Sequence, residues 1–124
     1  MKKQAIPLRK FIHYKNSAIQ NFHYLCFQIS HKKLKEFYEM SGNEDSRVAL
    51  ERWYDVVDKA SWRNFSEIKV DFPATDYVGN QHYVFNIKGN NYRLVVVVKF
   101  TIGYVFIRWV GTHREYDKID CSTI

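Results

Sequence analysis

The sequence predicts an α+β domain in which two helices cover one face of a small antiparallel sheet. The second half of the chain contains three runs rich in β-branched and aromatic residues, and Gly or Asn occupies the breaks between them. The preceding stretch instead carries apolar residues at helical spacing. A chain of 124 residues, 46% of them hydrophobic, is long enough for one domain with a core and too short for two.

Two short amphipathic helices are predicted to form a hairpin at the start of this domain. Ser30 can cap the first helix, which ends at Gly42, and Asn43, Asp45 or Ser46 can cap the second. The apolar positions on the two helices are Leu34, Phe37, Tyr38, Met40, Val48, Leu50, Trp53, Tyr54, Val56 and Val57. We interpret these stripes as core, because the sheet has to be covered.

The segment between the helices and the strands is shorter and less regular. The run from Ser66 to Phe72 predicts a short helical or extended element that ends at Pro73. The residues from Asp76 to Asn80 are predicted to be a turn-rich link.

The three predicted strands form a meander, because short turns separate them. With residues 88–91 as the first loop, Ile87 faces Tyr92 and Asn86 faces Arg93 on the neighbouring strand. Arg93 then lies on one face of the sheet, opposite a continuous apolar layer. That layer consists of Tyr83, Phe85, Ile87, Tyr92, Leu94, Val96, Val98 and Phe100.

The second turn of the meander allows two registers. A loop of residues 101–103 pairs Arg93 with Gly111, whereas a tighter turn of residues 102–103 pairs Arg93 with Thr112. Either register places Arg93 beside residues 111–113. Only Arg108 depends on the choice, because the tighter turn puts it on the Arg93 face and the longer loop puts it on the apolar face.

A short terminal helix is predicted to start directly after the third strand. Thr112 followed three residues later by Glu115 is the pattern of a capping box. His113 then lies in the first turn, and Tyr116 and Asp117 share its face.

The net charge of +6 is unevenly distributed along the chain. The first 28 residues contain no acid, and their basic residues are Lys2, Lys3, Arg9, Lys10 and Lys15. We expect residues 1–28 to be a basic extension, either disordered or translated from a start codon assigned too early, and residues 29–124 to form the domain. Residues 81–124 contain six basic and three acidic residues, an excess that suits a phosphate ligand.

The cysteines and histidines do not predict a metal site. Cys26 and Cys121 are not arranged in a metal-binding or redox motif, and the five histidines are scattered. We infer reduced thiols in a cytosolic protein without a metal cofactor. No apolar run approaches the roughly 18 residues of a membrane span.

Several spaced motifs together resemble the HigB toxins of the RelE-like superfamily. They comprise Trp62, Glu67-Ile68-Lys69, Asp71-Phe72-Pro73, Val84-Phe85-Asn86-Ile87, Gly89-Asn90, Tyr92-Arg93-Leu94-Val95 and Gly111-Thr112-His113-Arg114-Glu115-Tyr116-Asp117. The resemblance covers residues 29 to about 119. It implies a cytoplasmic mRNA interferase that acts on the ribosome. It also implies a cognate helix-turn-helix (HigA-like) antitoxin through which the complex binds operator DNA.

The resemblance and the chemistry of RNA cleavage together suggest a role for each candidate residue. Cleavage without a metal uses the neighbouring 2′-hydroxyl as nucleophile, so it requires a base, an acid and a cation at the phosphate. Arg93 is the candidate for the phosphate, and His113 for base or acid. Asp117 could orient His113, and Tyr116 could stack on a base or supply a proton. The remaining candidates are Asn86 as a supporting residue, and Lys88, Asn90, Arg108 and Arg114 as RNA-binding residues.

One departure from the superfamily leaves the general base open. Many RelE-type relatives carry lysines on the strand that leads to this arginine, where the present sequence has Val84 and Asn86. His113 and Tyr116 are therefore the candidates for the base.

Two alternatives compete with the enzymatic interpretation. Taken singly, Arg93 could be a strand arginine that meets an acid, and His113 could be an ordinary first-turn helix residue. The whole chain could also be a non-catalytic RNA-binding or protein-interaction module that uses exposed Tyr77, Tyr83 and Tyr104 for stacking.

Overall fold

The computed structural model describes residues 5–7 and 31–124, and the predicted cap Ser30 lies outside them. Helix α1 is described over residues 31–38. It is followed by a 3₁₀ turn at Glu44–Ser46 and by helices α2 (Arg47–Lys59), α3 (Phe65–Asp71) and α4 (His113–Tyr116). The strands are β1 (Ala5–Pro7), β2 (Asp76–Gly79), β3 (His82–Ile87), β4 (Tyr92–Lys99) and β5 (Tyr104–Thr112). The predicted α+β class is confirmed.

Helices α1 and α2 are joined at a shared carboxylate. Glu51 of α2 accepts a hydrogen bond from the Tyr38 hydroxyl at 2.8 Å and lies 2.8 Å from Nε2 of His31. The chain turns between the helices at Gly42, whose φ of +90° favours glycine. Ser46 is the N-cap of α2, but its hydroxyl donates to the carbonyl of Asn43 and does not cap the helix.

The short element before the sheet is helical. Asn64 caps α3 by accepting from the backbone N–H of Glu67 at 3.1 Å. The indole of Trp62 donates to the carboxylate of Asp71 at 2.8 Å, which ties the two ends of this segment together. The helix ends at Asp71, two residues before the predicted stop at Pro73.

The sheet has five strands in the order β1-β5-β4-β3-β2, so the predicted meander is part of a larger sheet. The prediction of a link at residues 76–80 was wrong, because residues 76–79 form strand β2 and pair with β3. The prediction assigned the whole stretch to a turn, although its turn residues lie only at its end. Asn80 and Gln81, with φ of 52° and 63°, form the tight turn that joins β2 to β3.

The pairing of β4 with β5 combines a longer loop with a bulge. The predicted first register is confirmed, since Ile87 pairs with Tyr92 and Asn86 pairs with Arg93. At the second turn Lys99 pairs with Tyr104, so the loop of residues 100–103 is one residue longer than the longer prediction and two residues longer than the tighter one. The register then shifts at Arg108, which restores the pairing of Arg93 with Gly111. The longer of the two predicted registers is therefore correct at the site.

Both faces of the sheet are covered. The predicted apolar layer lies in the core beneath the helices, with Phe100 at its margin. On the other face, Val84 and Val95 are also buried. The last residues of the chain lie against this second face. There the carbonyl of Ile124 is bonded by His82 Nε2 at 2.8 Å and by Arg108 Nε at 3.0 Å, and Asn80 donates to the carbonyl of Ser122.

Part of the predicted extension belongs to the sheet. Ala5–Pro7 form strand β1 along the start of β5, with Ile6 opposite Val105. Ile6 is fully buried in the core. The expectation of an extension separate from the domain does not hold for these residues, because the edge of β5 supplies partners that local sequence cannot reveal. The rest of residues 1–28 lies outside the described part, so the boundary at residue 29 stays a prediction. Among the described residues, no helix is long and apolar enough to span a membrane.

Candidate functional site

The corner where β5 meets α4 is built by the predicted capping box. The side chain of Thr112 accepts from the backbone N–H of Glu115 at 3.2 Å, and Oε1 of Glu115 accepts from the N–H of Thr112 at 2.9 Å. The backbone N–H of His113 donates to the carbonyl of Asn91 at 2.9 Å. The start of α4 is therefore held against the turn between β3 and β4.

Arg93 lies at this corner with its guanidinium almost buried. The residue is only 8% exposed. Nη1 donates to the carbonyls of Asn90 at 3.1 Å and Tyr92 at 3.2 Å, and Nη2 donates to the side-chain oxygen of Asn90. Within the described part of the chain, no carboxylate lies within ion-pairing distance of Arg93. The structure thus contains a buried cation that is held by neutral groups.

Tyr116 is the aromatic neighbour of this cation. The guanidinium carbon of Arg93 lies 5.8 Å from the centre of the Tyr116 ring, within the range of a cation–π contact. The hydroxyl of Tyr116 lies 3.2 Å from Sγ of Cys121. Burial, followed by the contact with Cys121, raises the pKa of Tyr116 to about 12, although Arg93 opposes the shift. The phenol is therefore protonated at neutral pH and can donate a hydrogen bond.

His113 and Asp117 form the outer side of the corner. Nε2 of His113 lies 3.9 Å from Oδ2 of Asp117, one helical turn away. Nδ1 of His113 is buried, and it has no hydrogen-bond partner among the described residues. Because this nitrogen is shielded from solvent, a ligand can hydrogen-bond to it only after the ring turns. The predicted common face of His113, Tyr116 and Asp117 is thus divided, with Tyr116 turned toward Arg93.

Trp109 completes the corner, and the sequence analysis did not single it out. Gly111 pairs with Arg93 across the sheet, and Trp109 pairs with Val95. A Cβ atom placed on Gly111 would lie 2.5 Å from Cη2 and Cζ2 of the Trp109 indole. The ring therefore lies against the bare backbone of Gly111, 6.3 Å from the centre of the Tyr116 ring. A glycine near the end of a strand was the sequence signal for such a close approach.

Some predicted site residues lie near the corner without joining its centre. Asn86 is exposed and opposite Arg93, while Asn90 provides two of the oxygens that hold the guanidinium. Arg114 is exposed on α4 and lines a shallow cleft together with His113. These placements suit a supporting role for Asn86, a positioning role for Asn90 and an outer contact for Arg114.

Two predicted RNA-binding residues are directed elsewhere. Lys88 forms an ion pair with Asp45 at 2.7 Å, and Asp45 also accepts a hydrogen bond from Tyr92 on the helix side of the sheet. Arg108 precedes the corner on β5, and it donates to the carbonyl of Ile124. The structure does not bring either side chain to the Arg93 corner.

The aromatic residues of the non-catalytic alternative are only partly available. Tyr83 is 6% exposed and packs against Phe65 and Tyr77, with ring centres 5.4 Å and 5.0 Å away. Tyr77 remains 51% exposed. Tyr83 cannot stack on a base from outside, so that alternative loses one of its three platforms.

The charged and polar groups at the corner are side chains of the chain itself. Within the described ranges, no group of three or more His, Cys, Asp or Glu side chains could hold a metal ion. The polar groups that remain are a buried cation, a protonated phenol and an imidazole next to a carboxylate. Together they can bind an anion and exchange protons with it.

Comparison with known proteins gives the same assignment as the sequence motifs. The profile of the HigB_toxin family, the RelE-like toxic component of a toxin-antitoxin system, matches residues 46–119. The mRNA interferase toxin HigB of Escherichia coli (strain K12) is 38% identical over 93 residues, which cover 72% of this chain and 86% of the relative. The mRNA interferase HigB of Escherichia coli O6:H1 is 30% identical over 74 residues, covering 58% of this chain and 72% of the relative.

The matched residues contain the whole Arg93 corner except Cys121, since they extend from α2 to the residues just after α4. The resemblance inferred from the motifs is therefore confirmed. This chain belongs to the HigB family of RelE-like toxins, the toxic components of toxin–antitoxin systems.

Proposed function

We propose that this chain is an mRNA interferase that cleaves translated mRNA on the ribosome at the Arg93 corner. The observation that carries the proposal is the buried guanidinium of Arg93, 8% exposed and held by neutral oxygens. A buried charge is costly unless it is paired, so this cation favours an anionic ligand. A phosphate matches the planar fork of arginine. The two Escherichia coli relatives described above are named as mRNA interferases, which is the same activity.

The proposed reaction is transesterification by the 2′-hydroxyl next to the scissile phosphate. The 2′-oxygen forms a bond to phosphorus while the bond from phosphorus to the 5′-oxygen breaks. A base takes the proton of the 2′-hydroxyl, and an acid gives a proton to the 5′-oxygen that leaves. The products are a 2′,3′-cyclic phosphate and a 5′-hydroxyl, and no metal takes part.

The residues of the corner can be assigned to these steps. Arg93 stabilises the charge that builds up on the phosphate oxygens. His113 exchanges protons through its imidazole, and Asp117 orients the ring from the side of Nε2. Tyr116 donates a hydrogen bond from its phenol, because a pKa of about 12 keeps it protonated. That pKa favours His113 over Tyr116 as the base.

The partners follow from membership of a toxin–antitoxin family. A cognate helix-turn-helix antitoxin, HigA-like, would neutralise the chain and hold the complex on operator DNA. The ribosome would supply most of the affinity for mRNA, since residues 31–80 carry more acidic than basic residues and limit the attraction to free RNA. We also propose a cytoplasmic location, because the proposed substrate is mRNA that is being translated.

The test is to induce the chain alone and to map the ends of the cleaved mRNA. We expect translation to stop and the cut mRNA to carry 5′-hydroxyl ends. In a purified reaction, the cut should disappear when the nucleotide at that position carries a 2′-O-methyl group. Purified chain should cut mRNA on programmed ribosomes and leave the same RNA intact without them at physiological salt. Efficient cleavage of naked RNA would contradict the ribosome requirement, and cleavage of the methylated substrate would contradict the 2′-hydroxyl mechanism.

A further inference from the structure

The indole of Trp109 occupies a slot that exists because residue 111 has no side chain. A Cβ on Gly111 would lie 2.5 Å from two atoms of the six-membered ring, closer than real side chains approach one another. The six-membered ring therefore extends along β5 to residue 111. Most residues at position 111 would force it away, so the conformation depends on a specific pair of residues.

This slot is next to the cation of the site. Gly111 is the cross-strand partner of Arg93, and Trp109 and Arg93 are on the same face of the sheet. The Tyr116 ring contacts both neighbours, with its centre 5.8 Å from the guanidinium carbon and 6.3 Å from the centre of the indole. A nucleotide whose phosphate lies on Arg93 would bring an adjacent base within reach of the indole.

Trp109 differs from the other two tryptophans of the chain in its exposure. Trp53 and Trp62 are core residues, 1% and 2% exposed. Trp109 is partly exposed, and its indole N–H has no hydrogen-bond partner among the described residues. Trp53 and Trp62 are therefore explained by core packing, whereas part of the Trp109 indole remains exposed to solvent.

We propose that Trp109 is a stacking platform for the RNA base next to the scissile phosphate. This inference rests on the proposed function, since it takes the substrate to be single-stranded mRNA held by Arg93. Bases of single-stranded RNA are recognised by stacking on aromatic rings, and an indole offers the largest such surface. The platform binds substrate and takes no part in proton transfer.

The decisive measurement is the kinetics of cleavage on programmed ribosomes with Trp109→Leu, which retains an apolar side chain and removes the aromatic ring. We expect KM to rise on the order of 10-fold or more while kcat changes little, because stacking on the ground state and on the transition state is equally lost. Trp109→Phe should retain part of the affinity. Ile102→Ala, at the exposed turn between β4 and β5, is the matched control and should leave both constants unchanged.

Gly111→Ala tests the slot itself, because its methyl group displaces the indole without removing it. It should raise KM in the natural chain and have little further effect when Trp109 is already Leu. An additive effect of Gly111→Ala in that background would mean that the methyl group acts through Glu115, whose Oε1 lies 3.0 Å from the same position. Such additivity, like an unchanged KM in Trp109→Leu, would overturn the proposal.

A second measurement is independent of cleavage. Since Trp109 is the one partly exposed tryptophan, an RNA trinucleotide with 2′-O-methyl groups should quench intrinsic fluorescence more than its abasic counterpart. A fall in kcat with unchanged KM in Trp109→Leu would show that the ring only positions Arg93 and Tyr116, and would reject the platform. If the natural chain cuts no mRNA, the proposed function fails. Equal quenching by the two trinucleotides at millimolar concentration would then reject the platform as well.

Discussion

The guanidinium of Arg93 lies over the ring of Tyr116, with its central carbon 5.8 Å from the ring centre. Asn90 holds the same guanidinium from the other side through its backbone and side-chain oxygens. The cation is thus fixed between a turn of the sheet and the terminal helix before any ligand binds. Such preorganisation lowers the cost of stabilising charge in a transition state.

Arg93→Ala should reduce the single-turnover rate of cleavage on the order of 100- to 1,000-fold, because it removes the preorganised donor at the phosphate. Arg93→Lys should restore little, since lysine lacks the planar fork. Arg114→Ala is the matched comparison and should reduce the rate far less, because Arg114 is exposed on α4 and makes at most an outer contact to RNA. Equal activity of the Arg93 and Arg114 variants, with circular dichroism showing an intact fold, would place the phosphate elsewhere.

His113→Gln should abolish most of the cleavage while ribosome binding and the fold survive. The variant keeps a hydrogen-bonding side chain of similar reach and loses the group that exchanges protons. Asp117→Asn should have a smaller effect, because its carboxylate lies 3.9 Å from Nε2 of His113 and orients the ring without touching the substrate. Cleavage rates of the three chains on programmed ribosomes measure this, and persistent activity of His113→Gln would show that another group is the base.

The stability of the chain should fall as the pH rises from about 10 to about 12. Tyr38, Tyr92 and Tyr116 have a pKa raised to about 12 from 10.0, by burial for Tyr38 and Tyr116 and by the hydrogen bond to Asp45 for Tyr92. Because the folded pKa is higher than the unfolded pKa, these tyrosines stabilise the fold fully below pH 10. That contribution is lost as the pH rises through the folded pKa.

Urea unfolding at several pH values measures this loss, and tyrosinate absorbance measures the ionisation. Tyr92→Phe removes the hydroxyl that donates to Asp45, so its stability should depend less steeply on alkaline pH. If every tyrosine of the folded chain ionised near 10.0, the prediction would be wrong.

Ile6→Ala should lower the free energy of unfolding by about 2–4 kcal/mol, the usual cost of truncating a fully buried isoleucine. Ile6 is completely inaccessible and lies opposite Val105 on β5. Ile102→Ala, at a position that is 52% exposed, should change stability by less than about 0.5 kcal/mol. Urea denaturation measures the free energy of unfolding of the two variants. Equal stability would mean that β1 adds nothing to the domain.

The sequence by itself determined the parts of this protein that depend on neighbours in the chain. The pairing of Asn86 with Arg93 follows from the length of one turn, and the start of α4 follows from Thr112 and Glu115 three residues apart. The apolar layer beneath the helices follows from the alternation of side chains along β3 and β4. These features are local, so a pattern a few residues long is sufficient to specify them.

Only the tertiary structure decided which distant segments meet. Ile6 joins the core beside Val105, and the last residues of the chain cover the second face of the sheet, where Cys121 reaches Tyr116. Arg93 was expected to meet an acid if it had only a structural role, and instead it is held by Asn90. Such contacts depend on the register of β4 and β5, which the bulge at Arg108 shifts by one residue. A one-residue shift moves side chains to the opposite face of a sheet, and no local periodicity records it.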